Sequence, residues 1–392
     1  MARAGAGGVC LVASSYPSPA APTRGAFVED IALGLAHTRP VAVVAPLIYP
    51  ADPRVEDRRG VAVRRFAFGS GGQLLKEYGA TPVALMVRYM LSGLLCTLSA
   101  QRGHRALFAH WVLPAGVIAA LASWLTGKPL LAYAHGSDIC VYAEKSALYR
   151  LLTRFVLGRS RHVFAVSRDI ERRLRGRFGV PAERISVISC GVDTALFSPP
   201  PAPVPVDAGG PRLLFVGDLV PAKGVRELIA AAGRLRAGGH AFSLTLIGDG
   251  PLRGELEHAV AAAGLSDRVT LTGTLPRPEV AAWMRRAHCL VLPSHNEGTP
   301  VCVMEALSSG MPVVATGVGG IPDQIDAEAT GLMVPARDVD ALAAALIRVV
   351  AEAGLLERLT AGARGTGQRF SMAARRAEVA AVLARVLDGA AP

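Results

Sequence analysis

Lysine is scarce in this chain. Of 42 basic residues in a length of 392, four are lysines: Lys76, Lys128, Lys145 and Lys223. Aromatic residues make up 5%. The six cysteines (10, 96, 140, 190, 289 and 302) are scattered and form no C-x-x-C pair, which excludes a disulfide scaffold and suits free thiols in a reducing, cytoplasmic setting. There is no Walker A loop and no G-x-G-x-x-G after the first apolar run, so ATP hydrolysis and nicotinamide dinucleotide chemistry lack their usual signatures. At the start, Arg3 is followed by a short apolar run from Val9 to Ala13, shorter than the ~7–15-residue core of a secretory signal. The most apolar window, 106–125, has the length of a membrane span, but it contains His110 and Pro114 and divides into a strand-like and a helix-like pattern. It reads as a buried strand and helix.

What is present is apolar bulk and lopsided charge. Apolar residues are 51% of the chain, enough for a large core, and the length suggests two domains. Residues 1–200 hold 24 Lys/Arg against 12 Asp/Glu; residues 201–392 hold 18 against 19. The basic excess therefore sits in the first half. One domain is expected to face something anionic, such as acidic lipid headgroups or a phosphorylated substrate. No nucleic-acid reading motif is found.

Short Val/Leu/Ile runs alternate with amphipathic segments of helical length. Strands are predicted at 8–14, 40–46, 61–67, 105–110, 129–135, 162–167 and 185–189, with helices at 26–37, 82–101, 114–126, 146–157 and 168–177. The rhythm stops in SPPPAPVPVDAGGP, where six prolines argue for a linker over 198–211. It resumes with strands at 212–217, 243–248, 269–273, 289–293, 312–316 and 331–334, and with helices at 224–237, 251–263, 278–287, 300–309, 338–353, 355–363 and 371–388. This is α/β architecture, two doubly wound parallel sheets, with ligands expected beyond the carboxyl ends of the strands, in a cleft between lobes.

Four patterns fall at strand ends. In SHNEGTPVCVMEALSSGMP (294–312) a helix starts near Pro300, and its free N–H groups suit a phosphate. Glu305 can accept two hydrogen bonds from the vicinal hydroxyls of a ribose, and Glu297 can accept from sugar hydroxyls; helix capping is the alternative for either. In FVGDLVPAKG (215–224), Lys223 precedes a helix and can neutralise a phosphate. In AYAHGSD (132–138), His135 ends a strand with Asp138 in the turn. His110-Trp111 ends the preceding strand in the same way, and either binds a sugar face or closes the core. Gly25 follows the first strand and allows close approach of backbone to a ligand.

Together these resemble the retaining GT-B glycosyltransferases of family four (glycosyl transferases group 1), in the style of exopolysaccharide, capsule and cell-wall glycan assembly. The likeness covers nearly the whole chain. It rests on the E-x7-E pair Glu297–Glu305, HGSD at 135–138, GVD at 191–193, VGDLVPAKG, LIGDGP at 246–251 and TGTLPR at 272–277. It implies a GT-B fold of two Rossmann-like lobes facing across a cleft. An acceptor lobe over 1–197 would be completed by a C-terminal segment, 371–392, crossing back, and a nucleotide-sugar lobe would span 212–370. The donor implied is a UDP-sugar, bound by Glu305 (ribose), Glu297 (sugar hydroxyls), Gly298 and Thr299 (backbone N–H groups), Lys223 (diphosphate), Gly25, Gly248 and, at the base, the backbone of Leu275. His135, Glu297 and Lys223 would carry catalysis, and His110, Trp111 and Asp138 would lie on the acceptor side. No metal is expected, and Asp338–Asp340, the sole Asp-x-Asp, reads as a helix cap. The acceptor would be a glycan or lipid-linked, with an anionic membrane surface as a further partner of the basic lobe. An epimerase, a sugar phosphorylase or a non-catalytic sugar-binding protein on the same fold is the alternative. Three departures stand out: Asp218 where many members carry Arg, Cys190 where Asn usually precedes GVD, and one glycine rather than two in the first-lobe loop.

Overall fold

The computed structural model describes residues 7–22, 24–73, 75 and 82–389. Arg3 and Lys76, counted in the basic excess, lie outside these. The chain forms two compact units: residues 1–189 with 375–392, and residues 190–374.

The first unit is built on eight strands: β1 (Gly8–Ala13), β2 (Val41–Leu47), β3 (Val55–Arg58), β4 (Val61–Ala67), β5 (His104–His110), β6 (Leu130–Ala134), β7 (Ser160–Ala165) and β8 (Ile185–Val187). Their order is β3-β4-β2-β1-β5-β6-β7-β8, parallel except for the β3/β4 pair. Every residue of β1, β2 and β6 is buried, as a parallel sheet covered on both faces requires. The predicted strands all form. β3 was not anticipated, because VEDR carries three charges and no apolar alternation. It forms because Arg59 and Gly60, at φ 55° and 85°, close a two-residue type I′ turn onto β4. Glu29 then pairs with Arg58 (2.7 Å) and Arg59 (3.0 Å).

Helix ends follow local chemistry. Ser167 Oγ accepts from the Ile170 N–H and caps the helix Arg168–Phe178, which ends at left-handed Gly179; Asp169 and Glu171 fill its first turn, Arg175 and Arg177 its last. The helix Met372–Leu383 and the turn after it close the first unit: Arg376 meets Asp30 at 3.0 Å, and Arg39 and Arg105 meet Asp388 at 3.0 and 3.2 Å.

The second unit is a wholly parallel sheet of β9 (Arg212–Val216), β10 (Ser243–Ile247), β11 (Val269–Gly273), β12 (Cys289–Leu292), β13 (Val313–Thr316) and β14 (Gly331–Val334), in the order β11-β10-β9-β12-β13-β14. The proline-rich segment does not lie between the units as the linker reading has it. The division falls earlier, at 189/190, and the prolines are strapped to the second unit. Proline has no N–H to donate, but its carbonyl accepts: Arg364 donates to the Pro200 carbonyl (2.9 Å), and His288 Nε2 lies 3.2 Å from that of Pro205. Asp338, in turn, caps the helix Val339–Ala351 by accepting from the Ala341 N–H at 2.9 Å.

Arg39 is buried and Asp388 is its ion-pair partner. Asp388→Ala is expected to lower the stability of the first unit by about 3 kcal/mol, since it strands a buried cation. Urea unfolding followed by far-UV circular dichroism checks this; an unchanged midpoint would show that the Arg39–Asp388 pair contributes nothing.

Candidate functional site

In each sheet the chain reverses its direction of growth once. In the second it proceeds from β9 outward to β11, then returns to place β12 on the other side of β9. The loops leaving β9 and β12 therefore rise side by side from neighbouring strand ends, the place where open α/β sheets hold their ligands. Lys223 is on the first loop and Glu297 on the second.

Backbone contacts bind these loops together. Gly224 has φ 65°, and a Cβ there would lie 1.9 Å from the Pro293 carbonyl oxygen. The His295 N–H donates to the Ala222 carbonyl at 2.8 Å. From the loop after β13, the Gly320 N–H donates to the Gly298 carbonyl (2.7 Å), and a Cβ on Gly319 would fall 1.8 Å from the Glu297 carbonyl oxygen. Gly248 does similar work one loop away, its own would-be Cβ lying 2.0 Å from the Gly217 carbonyl oxygen.

On this frame Lys223 Nζ lies 2.6 Å from Glu297 Oε1, which also accepts from Ser294 Oγ at 2.7 Å. Burial disfavours the Lys223 charge, but the Glu297 carboxylate and its hydrogen bond outweigh this and raise the ammonium pKa. Asp218 adds to that rise from an exposed position. Glu305 sits in the helix Val301–Ser308, whose first residue follows Pro300 with no side-chain cap. It is 7% exposed, and its Oε1 accepts from Arg277 Nη2 at 2.8 Å. Burial raises the Glu305 pKa, and Arg277 opposes the rise. Arg277 is itself stacked over the buried Phe197 ring, 5.3 Å from its centroid.

Cys302 ties the group together. Its thiol is pushed up to about 12 by burial, then by Glu297 and Glu305, with Lys223 pulling the other way. All three charged groups thus act on this half-buried thiol. Gly298 and Thr299 lead from Glu297 into the helix, and Leu275 is half-buried against the second unit's core. Arg277, Gly319 and Gly320 were not singled out from the sequence. Arg277 stands in TGTLPR and the glycines in GVGG, but nothing local to either tells which loop they touch.

The first sheet reverses between β1 and β5, and there the predicted residues separate into two kinds. Gly25 (φ 72°) precedes the helix Ala26–Ala36, and a Cβ on it would lie 2.7 Å from the Ser15 carbonyl oxygen. Half-buried His135 and Trp111 form an aromatic group with Phe27, ring centroids 4.8 to 5.3 Å apart. His110 and Asp138 instead have no exposed surface, so they do not present themselves to an acceptor. Asp138 organises the turn: its carboxylate accepts from the N–H groups of Val112 (2.7 Å), Gly136 (2.9 Å), His135 (3.1 Å) and Ile139 (3.2 Å). Burial still raises it to about 6 against those bonds.

His110 Nδ1 lies 3.3 Å from His135 Nε2, and among the described residues His110 Nε2 has no partner. A proton on His110 Nδ1 satisfies that contact and leaves only a lone pair unpaired. His135 is then protonated on Nδ1 and accepts at Nε2. Burial lowers His110 to about 3 and His135 well below its ordinary value, with His110 adding to the second shift.

Both histidines are neutral in the fold and charge when unfolded below about pH 6.5. The first unit should lose stability as pH falls from 7 to 5. Asp138 acts the other way, since its raised pKa takes up a proton first in the folded state, but His162, lowered to about 4 by burial, and His104, also lowered by burial, act with the pair against it. Thermal midpoints at the two pH values check this; the fall should shrink in His110→Phe, and an equal fall there would clear the histidine pair of responsibility.

Residues 210–352 match the family described as Glycosyl transferases group 1, and residues 25–191 match the Glycosyl transferase 4-like domain. The chain is 32% identical over 278 residues to the 2-deoxystreptamine glucosyltransferase of Streptomyces kanamyceticus, covering 67% of this chain and 71% of that protein. It is 33% identical over 281 residues to the putative colanic acid biosynthesis glycosyltransferase WcaL of Escherichia coli, covering 69% and 66%. With the amylovoran biosynthesis glycosyltransferase AmsK of Erwinia amylovora the match is 32% over 235 residues and spans 56% of that relative's length. Among solved structures, sucrose-phosphate synthase of Thermosynechococcus elongatus superposes with a TM-score of 0.79 at 22% identity, covering 98% of this chain and all of that one (100%). Anabaena HepE in complex with UDP superposes at 0.76 with 19% identity, covering 96% and 99%. These two show the fold. The chain belongs to the group 1 glycosyltransferases, and it is a glycosyltransferase of two-lobe GT-B fold.

Proposed function

We propose that the enzyme moves a sugar, with retention of anomeric configuration and without a metal ion, from a UDP-sugar to a glycan or lipid-linked acceptor of surface polysaccharide assembly in the cytoplasm. The observation that carries this is the Lys223–Glu297 ion pair, 2.6 Å long, at the switch point of the second sheet, with Glu305 in the helix that follows Glu297. The relatives WcaL and AmsK, described as a putative colanic acid and an amylovoran biosynthesis glycosyltransferase, and the HepE complexes with UDP and UDP-glucose, support it.

The residues divide the donor between them. Glu305, held against Arg277 through one oxygen, accepts ribose hydroxyls through the other. Lys223 is kept protonated by Glu297, so an arriving diphosphate meets a formed cation beside the uncapped helix at Val301. Gly298 and Thr299 offer backbone groups along the same edge. Asp218 does not replace the missing arginine; it is exposed and supports the Lys223 charge, so the ammonium and the helix N-terminus carry the phosphate. In the reaction the bond from the anomeric carbon to the phosphate oxygen breaks, and the acceptor oxygen bonds on the same face. The hydroxyl proton passes to the departing phosphate, whose charge Lys223 and the helix dipole stabilise. His135, presenting Nδ1–H, and Trp111 are the half-exposed groups of the first unit assigned to the transferred sugar and its acceptor.

Glu305→Ala should weaken UDP binding at least about tenfold by calorimetry; unchanged affinity would remove the ribose role. Lys223→Ala should lower turnover by more than about tenfold while the fold, read by circular dichroism, stays intact. A panel of nucleotide sugars should protect the enzyme against thermal unfolding, with the UDP-sugars foremost. Protection by none of them would overturn the donor assignment.

A further inference from the structure

The exposed large apolar side chains cluster in one place. Among the described residues, nine of the fourteen exposed large apolar side chains lie on three helices of the first unit: Val83–Ala100, Ala115–Thr126 and Ala147–Arg159. The second of these packs against both others, so the three form one layer on one face of the sheet. The first helix turns Tyr89, Gly93 and Thr97 inward and leaves Val83, Val87, Leu91 and Leu95 outward, the last 68% exposed. It is long and apolar enough to cross a bilayer by length and composition, yet it is packed along β2 and β4. The middle helix ends in Trp124 and Leu125, the indole 66% exposed. The third shows Leu148, Leu151 and Phe155, with Leu151 63% exposed.

The charge on this layer has one sign. The three helices carry Arg88, Arg150, Arg154 and Arg159 and no aspartate or glutamate; beside them in sequence stand Lys128 and Lys145 against the single acid Glu144. A second copy of the chain would set arginine against arginine across such a face. A bilayer containing anionic lipid meets both properties at once. The Leu, Val and Phe side chains enter the acyl boundary, Trp124 sits at the headgroup level, and Arg88, Arg150 and Arg154 reach outward to phosphate, while Arg159 is bonded to Ser123. A soluble phosphorylated substrate would use the arginines and leave the leucines in water.

We infer that the enzyme docks on anionic membrane through the outer face of these three helices. This deepens the acceptor side of the reading above and rests on it only for purpose; the surface does not depend on the donor. The test is flotation of the full chain with vesicles of phosphatidylcholine, with and without phosphatidylglycerol. One variant removes apolar groups (Leu91→Gln, Leu95→Gln, Leu151→Gln) and another removes charge (Arg150→Gln, Arg154→Gln). All these sites lie on the outer face, so the fold should persist, and circular dichroism verifies it. Wild type should float with phosphatidylglycerol vesicles and much less without, and each variant should bind at least tenfold more weakly. The Trp124 emission should shift to the blue on binding. Apolar-loss protein that floats like wild type, or wild type that floats with neither vesicle, overturns the inference. So does a dimer in sedimentation that the same substitutions abolish, since the face would then join two copies. Protection by UDP-sugar, measured on the same samples, separates the two readings: its retention without vesicle binding sinks only the membrane face, and its loss with vesicle binding sinks only the donor site.

Discussion

The second unit depends on a close approach of backbones at the point where strand order reverses. The loops leaving β9 and β12 come so near that Gly224 has no room for a side chain beside the Pro293 carbonyl, and Gly319 none beside that of Glu297. This proximity has a chemical result. It places an ammonium within 2.6 Å of a carboxylate at the carboxyl ends of two central strands, partly removed from water. There the carboxylate sustains the charge of the ammonium. Without the glycines the loops would separate, and Lys223 would be one more solvated cation, of little consequence for phosphate binding.

The first unit applies the same geometry to a different end. Its strand reversal gathers titratable groups too, but burial keeps His110 and His135 neutral and holds Asp138 under four backbone N–H groups. Two of the three residues that the sequence assigned to an acceptor are therefore internal supports. They shape the turn that presents Trp111 and His135, and the polar chemistry left at that surface is sparse. The apolar, basic layer of helices in the same unit gives it a second kind of surface, suited to a lipid boundary.

Much of the fold was legible because parallel strands buried on both faces read as continuous apolar runs. GVCLVA, VAVVAPL and CLVL needed no partner to be recognised as strands. VEDR did not read so, because its stability comes from a left-handed two-residue turn and from ion pairs with Glu29, which lies far away in sequence. The proline-rich stretch was misread as a linker for a related reason. Six prolines describe a chain that makes no secondary structure, and they do not say whether its carbonyls will be bonded by arginine and histidine side chains from elsewhere.

The site divides along the same line. Periodicity and residue chemistry alone determined the two α/β units, the helix behind Pro300 and the placing of Glu297, Glu305 and Lys223 at strand ends, because each is a property of a few neighbouring residues. Tertiary structure alone decided that Lys223 would spend its charge on Glu297, that Arg277 would hold Glu305, and that His110 and Asp138 would disappear into the interior. Those outcomes depend on distances between segments tens of residues apart, and burial and Coulomb energy respond to distance in space, which sequence order does not contain.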